Sequence, residues 1–327
     1  MTKQNISSGS QRIVHFTWRA LGILVLLLAG IRGVSAQLLE SPERKILYYS
    51  QISYAGAVGE FEENAEHVTL STYTAGFLPW DNVVSDPGGI LYYNKQTGMA
   101  MIGKVDAMGN HTITRVFPRG YFAPGWTHIV SHRGFLFFYN SGNGTAAIGI
   151  LTAAGFYQYT SYPAYSFLRG WTHIVSTQNG LLFYSKDTGA GAVGDWDYLF
   201  GDEAGGYQLL RGISFKTWSS FQPGSFNRGW TSIVETNTGV LFYRQSDGLQ
   251  VMVDIYTGGA VTTRMWTQQY LKPGYTTVVA AGDNIELYDA AAGDAALASA
   301  SSGSLAILWE RPAYFSTGWT HIISLPL

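Results

Sequence analysis

Four tryptophans and three histidines recur at fixed places in one phrase of this chain, and both residue types could do chemistry. The phrase reads Gly125-Trp126-Thr127-His128-Ile129-Val130-Ser131, then Gly170-Trp171-Thr172-His173-Ile174-Val175-Ser176, Gly229-Trp230-Thr231-Ser232-Ile233-Val234 and Gly318-Trp319-Thr320-His321-Ile322-Ile323. Looser copies are Trp80-Asp81-Asn82-Val83-Val84-Ser85 and Gly274-Tyr275-Thr276-Thr277-Val278-Val279. A flat indole flanked by amide and hydroxyl groups suits a pyranose, which offers C–H groups on its face and hydroxyls at its edge. Trp126, Trp171, Trp230 and Trp319 would be the platforms, and the turn residues Asn94, Asn140 and Thr188 would supply the polar contacts. The competing reading for each tryptophan is packing between repeats, which is what a recurring Trp more often does. His128, His173 and His321 suggest a metal, but a shared ion would need three repeats to converge on it. Strand side chains alternate between faces, so these imidazoles are expected to be structural, with no metal.

Acid–base chemistry needs carboxylates. A glycosidase holds two of them about 5 to 9.5 Å apart, and the dense acidic group in this chain is Asp195, Asp197, Asp202 and Glu203. These read first as solvated loop acids. There is no Asp-x-Asp-x-Asp-Gly calcium loop and no Ser-x-Asp-x-Gly-x-Thr-Trp box. The chain has no cysteine, which excludes thiol chemistry, Cys-based metal sites and disulfides. The expectation is a protein without catalytic, metal or cofactor chemistry.

The elements that must position these residues follow from the spacing. The aromatic heads stand at 80, 126, 171, 230, 275 and 319, so the intervals are 46, 45, 59, 45 and 44 residues. Each unit reads as four short strands: the Trp phrase, an aliphatic-aromatic run such as Leu181-Leu182-Phe183-Tyr184, a small-residue run such as Ala190 to Gly194, and a less uniform fourth. A period in the mid-forties with four strands per unit predicts an all-β, six-bladed propeller of four-stranded antiparallel blades. Phase at the two ends predicts how the ring closes. The chain enters on a second strand, Ile46 to Tyr49, and stops on a first strand, Trp319 to Ser324, so the C-terminal strand should complete the N-terminal blade. The unit between Trp171 and Trp230 is 14 residues longer than its 45-residue neighbours, and its surplus, at about 195–225, is expected to form a loop on one face.

Residues 1–36 fall outside this pattern. Lys3, Arg12 and Arg19 precede the apolar run Ala20 to Ile31, and Val34-Ser35-Ala36 offers a cleavage site, so 1–36 reads as a signal peptide and 37–327 as one propeller domain. An uncleaved anchor is the alternative; the run is shorter than the roughly 20 residues that span a bilayer. Cleavage would leave 16 Lys+Arg against 22 Asp+Glu, a formal charge of −6. That balance argues against nucleic acid and anionic membranes as partners and fits a secreted, extracellular protein.

The Gly-Trp heads, each followed by an aliphatic-aromatic strand after a Gly-containing turn, resemble the tachylectin family of β-propeller lectins over residues 45 to 324. They also resemble Gly-Trp-Thr-His-Ile-Val repeat arrays of secreted microbial proteins. The resemblance implies binding of N-acetylated sugars in clefts between adjacent blades, one site per repeat. The chain departs from that family in having six blades rather than five and in altering the phrase at Trp80 and Tyr275. The expected function is thus a secreted, multivalent, non-catalytic glycan binder. Two alternatives remain: a secreted enzyme acting on glycans at the mouth of the central channel, with the insertion supplying acid and base, or a protein-binding scaffold.

Overall fold

The structure, a computed structural model, describes residues 45–325 apart from 63, 75–77, 153–154, 203–207, 260, 265–270, 282 and 302–303. The predicted signal peptide, 1–36, lies outside the described residues, as does Glu203. In chain order the strands are β1–β3 (Lys45–Tyr49, Gly56–Phe61, His67–Tyr73), β4–β7 (Asn82–Asp86, Gly89–Tyr93, Ala100–Val105, His111–Phe117) and β8–β11 (His128–His132, Phe135–Tyr139, Ala146–Thr152, Gly155–Tyr162). They continue as β12–β15 (His173–Thr177, Gly180–Tyr184, Gly191–Asp202, Gln208–Phe221), β16–β19 (Ser232–Thr236, Gly239–Tyr243, Gln250–Ile255, Val261–Arg264), β20–β23 (Thr277–Ala281, Asn284–Tyr288, Ala295–Ser301, Ser304–Arg311) and β24 (His321–Ser324).

These strands make six four-stranded antiparallel sheets, the blades of a six-bladed propeller. Blade 1 has the order β24-β1-β2-β3, and blades 2 to 6 follow along the chain from β4. β24 lies on β1 with Ile46 opposite Ser324 and Tyr49 opposite His321, which is the ring closure that the phase of the repeats predicts. The innermost strands, β4, β8, β12, β16, β20 and β24, each lie beside the next around the ring.

Second strands are buried almost throughout, because a middle strand is covered by blades on both faces. The small residues of the third strand make room for rings of the fourth. A Cβ on Gly149 would sit 2.3 Å from the Phe156 ring, and one on Gly59 would sit 2.2 Å from the His67 imidazole. The pairing register shifts at both glycines, so each marks a bulge.

Every second strand ends on a tyrosine, and that hydroxyl latches its blade to the next. Tyr93 donates to the Ala123 carbonyl at 2.8 Å and accepts the Trp126 N–H at 3.2 Å. Tyr49, Tyr184, Tyr243 and Tyr288 repeat both bonds towards Trp80, Trp230, Tyr275 and Trp319. Tyr139 donates in the same way to the Leu168 carbonyl at 2.6 Å. Burial raises these phenols, to about 12 at Tyr93, Tyr139 and Tyr243, so they stay neutral donors.

The surplus of the fourth unit differs from the expected loop. β14 and β15 run on as strands of 12 and 14 residues, forming a hairpin longer than any other outer pair. Apolar residues explain this: Trp196, Tyr198, Ile213 and Phe215 pack onto Phe135, Phe137 and Tyr159 of blade 3. A polar loop would leave that surface wet.

Candidate active site at the end of the innermost strands

The meander gives the ring two faces. Loops from a second to a third strand, and from a fourth to the next first strand, share the face that carries the aromatic heads. Turns between first and second strands lie on the opposite face, and so does the long hairpin of blade 4.

On the first face, Trp126, Trp171 and Trp230 are buried between blades, Trp80 and Tyr275 more completely, and Trp319 is half-buried. Two of them still border open clefts. A cavity of about 310 Å3 between blades 2 and 3 is lined by Tyr121, Trp126, Phe156 and Gln158, and one of about 220 Å3 between blades 3 and 4 by Tyr162, Ser166, Trp171 and Ser220. Arg244 lies over the Trp230 ring at 5.7 Å. The proposed polar partners are engaged in their own turns. Asn94 accepts from Thr97 and donates to the Pro79 carbonyl, Asn140 accepts the Gly142 N–H, and Thr188 accepts the Ala190 N–H.

The repeated histidines staple inner strands together. His128, His173 and His321 each hold a ring nitrogen 2.9 to 3.0 Å from the preceding threonine hydroxyl. The other nitrogen lies 3.1 to 3.2 Å from a backbone carbonyl of the next blade, at Thr172, Thr231 and Asp81. Burial lowers all three towards the neutral imidazole.

A different histidine organises the opposite face. His132 ends β8, six residues after Trp126, where the other units carry Asp86, Thr177, Thr236, Ala281 and Leu325. It is 2% exposed. Its Nδ1 lies 2.9 Å from Ser176 Oγ on β12, and its Nε2 lies 2.9 Å from Asp195 Oδ1 on β14. Asp195, expected among the solvated loop acids, is also 2% exposed, because it stands within β14 beside Gly194 and faces His132 of blade 3. Its Oδ1 additionally accepts the Trp196 N–H at 2.7 Å, and its Oδ2 accepts the Arg133 guanidinium. Burial alone would push the carboxyl up; hydrogen bonds from His132 and Trp196 and the nearby positive charge reverse that and hold it below its ordinary value.

An ionised Asp195 can only accept, so His132 Nε2 is the protonated nitrogen. With the ring neutral, the Nδ1 lone pair accepts the Ser176 O–H. Serine, imidazole and carboxylate thus form a relay from a half-buried hydroxyl to a buried anion. The ring nitrogens are exchanged relative to the serine-protease arrangement, but the roles are the same: a hydroxyl against a base, and the base oriented by an acid. Arg133 adds a cation, 45% exposed, that also donates to the Gln178 carbonyl at 2.7 Å. It reaches both partners from a left-handed backbone (φ 50°), a conformation that costs a non-glycine residue on the order of 1 kcal/mol.

Sequence reasoning missed Ser176 and His132. The signal available was that one repeat unit puts an imidazole where its neighbours put a short polar or apolar side chain.

No protein-family model and no curated protein matches this sequence. Solved structures do resemble it. A periplasmic gluconolactonase of Pseudomonas aeruginosa shares 11% identity at a TM-score of 0.52, covering 87% of this chain and 99% of its own. A Bacteroides uniformis protein described as a candidate 6-phosphogluconolactonase shares 11% at 0.51, covering 86% and 99%. A chain of the nidogen/laminin complex shares 8% at 0.51, covering 87% and 98%. What they share with this chain is the fold. That likeness corrects the expectation of a non-catalytic protein, since the architecture includes proteins named as enzymes.

Proposed function

We propose that this protein is a secreted hydrolase that opens ester or lactone bonds of carbohydrates, with Ser176 as nucleophile. The observation that carries the reading is the Ser176–His132–Asp195 relay. Ser176 Oγ attacks the carbonyl carbon while His132 Nδ1 takes its proton, and Asp195 stabilises the resulting imidazolium. Arg133 offers positive charge to the developing oxyanion. Collapse returns the proton to the leaving alkoxide and leaves an acyl-serine, which water opens by the same steps. A lactone is a cyclic ester, the bond named in two of the proteins of similar fold. Glycans of cell surfaces remain the proposed partners; the clefts beside Trp126 and Trp171, on the face opposite Ser176, would anchor the protein to them rather than hold the bond that is cut.

Hydrolysis of p-nitrophenyl acetate and of glucono-1,5-lactone tests this. Ser176→Ala is expected to lower kcat by about a thousandfold or more, in line with removal of a triad member. A fluorophosphonate should add its mass at Ser176 of the unaltered protein. Equal turnover by both proteins, or no labelling at Ser176, overturns the reading.

A further inference from the structure

One residue beyond Ser176 the chain reaches a recess. A cavity of about 400 Å3 opens between blades 4 and 5 on the same face, within the range of about 300 to 1,000 Å3 typical of small-molecule sites. Glu235 and Asp254 line it with Asn179, Asn237, Thr238 and Tyr256. Glu235 breaks the repeat. At its place on the inner strand, five residues after the aromatic head, the other units carry Ser85, Ser131, Ser176, Ala280 and Ser324. A long carboxylate among serines and an alanine, facing a cavity, violates the local pattern where a ligand could use it. Its Oε1 accepts the Gln178 N–H at 2.8 Å, and the Gln178 carbonyl accepts from Arg133. One peptide segment therefore links this carboxyl to the cation beside Asp195.

Charge decides the class of ligand. Among the described residues that line the cavity none is Lys or Arg, so an anionic ligand would meet the carboxyls of Glu235 and Asp254. Planar amides, carboxyls and a threonine hydroxyl line it, Asn179 already donating to the Ile255 carbonyl at 2.8 Å and Thr238 lying 3.3 Å from the Thr236 hydroxyl, and Tyr256, 49% exposed, adds a ring at the rim.

We infer that this pocket binds a neutral, hydroxyl-bearing sugar ring and holds it beside Ser176. Its placement as the subsite of a hydrolase rests on the proposed function; binding itself does not. The test is ligand-observed NMR and calorimetry with methyl glycosides of glucose, galactose, mannose and N-acetylglucosamine, with gluconate and glucosamine as charged probes. At least one neutral glycoside is expected to bind, at least tenfold more weakly to Glu235→Ala and to Tyr256→Ala, and unchanged to Ser176→Ala. Tyr256 is surface-exposed, so its variant keeps the test valid if Glu235→Ala fails to fold. Binding that ignores both changes, or binding of gluconate or glucosamine alone, overturns the inference. Retained binding with no Ser176-dependent turnover would reject the hydrolase and leave the sugar site standing.

Discussion

At the scale of single residues, departures from the repeat carry the information. Glu286 stands in β21 where other second strands carry Leu47, Leu91, Phe137, Leu182 and Leu241, and it is 0% exposed. Tyr48 donates to its Oε1 at 2.8 Å, while Oε2 is a buried oxygen without a hydrogen-bond partner. Burial raises this carboxyl from 4.5 to about 8, against a smaller lowering by Tyr48. The folded protein thus holds the proton more tightly than the unfolded chain. Its contribution to stability is full below pH 4.5, declines as pH rises through the interval, and is lost above about 8. Glu286→Gln keeps the shape and removes the titration. Its melting temperature is expected to match the unaltered protein near pH 4.5 and exceed it increasingly at pH 7 and 9; parallel melting curves at all three would count against a neutral Glu286.

At the scale of elements, the blade is defined by its second strand and the tyrosine that ends it. Tyr93→Phe removes one hydroxyl, leaving the buried Trp126 N–H without its acceptor and the part-buried Ala123 carbonyl without its donor. Leaving a buried polar group unsatisfied costs about 1 to 3 kcal/mol, so urea unfolding should show a loss of that order. A change of a few tenths would mean that the latch is incidental to packing. The long hairpin of blade 4 illustrates a second rule of elements: strands continue past a blade where apolar side chains find a surface to cover. Asp195 itself occupies a third-strand position that every blade has, matched by Glu60, Lys104, Ile150, Asp254 and Ser299, and its neighbour Trp196 donates its indole N–H to the His132 carbonyl at 3.0 Å.

At the scale of the whole molecule, closure is a pairing between the two ends of the chain. β24 gives blade 1 its innermost strand, and Thr320 reaches back to the Tyr49 carbonyl and the Gln51 N–H. Deleting residues 318–327 exposes an apolar edge of β1 and leaves the Tyr288 hydroxyl without its partner at Trp319. Insolubility or a broad, non-cooperative melt is expected, read by scanning calorimetry. A truncated protein that melts as sharply and as high as the intact one would show that closure contributes nothing.

Much of this molecule is written locally. Strand periodicity, the recurring Gly-Trp and the turn chemistry are short-range properties, so six blades and the closure across the termini are legible from spacing alone. The stapling histidines are legible too, because one position repeats in register. The relay is not. Ser176, His132 and Asp195 come from three strands in two blades, 44 and 63 residues apart along the two hydrogen bonds. Their meeting depends on how blade 4 packs against blade 3. Tertiary structure alone decides such a site, because burial of Asp195 and the direction of a single Ser–His hydrogen bond are properties of the interface between repeats, and no repeat contains that interface by itself.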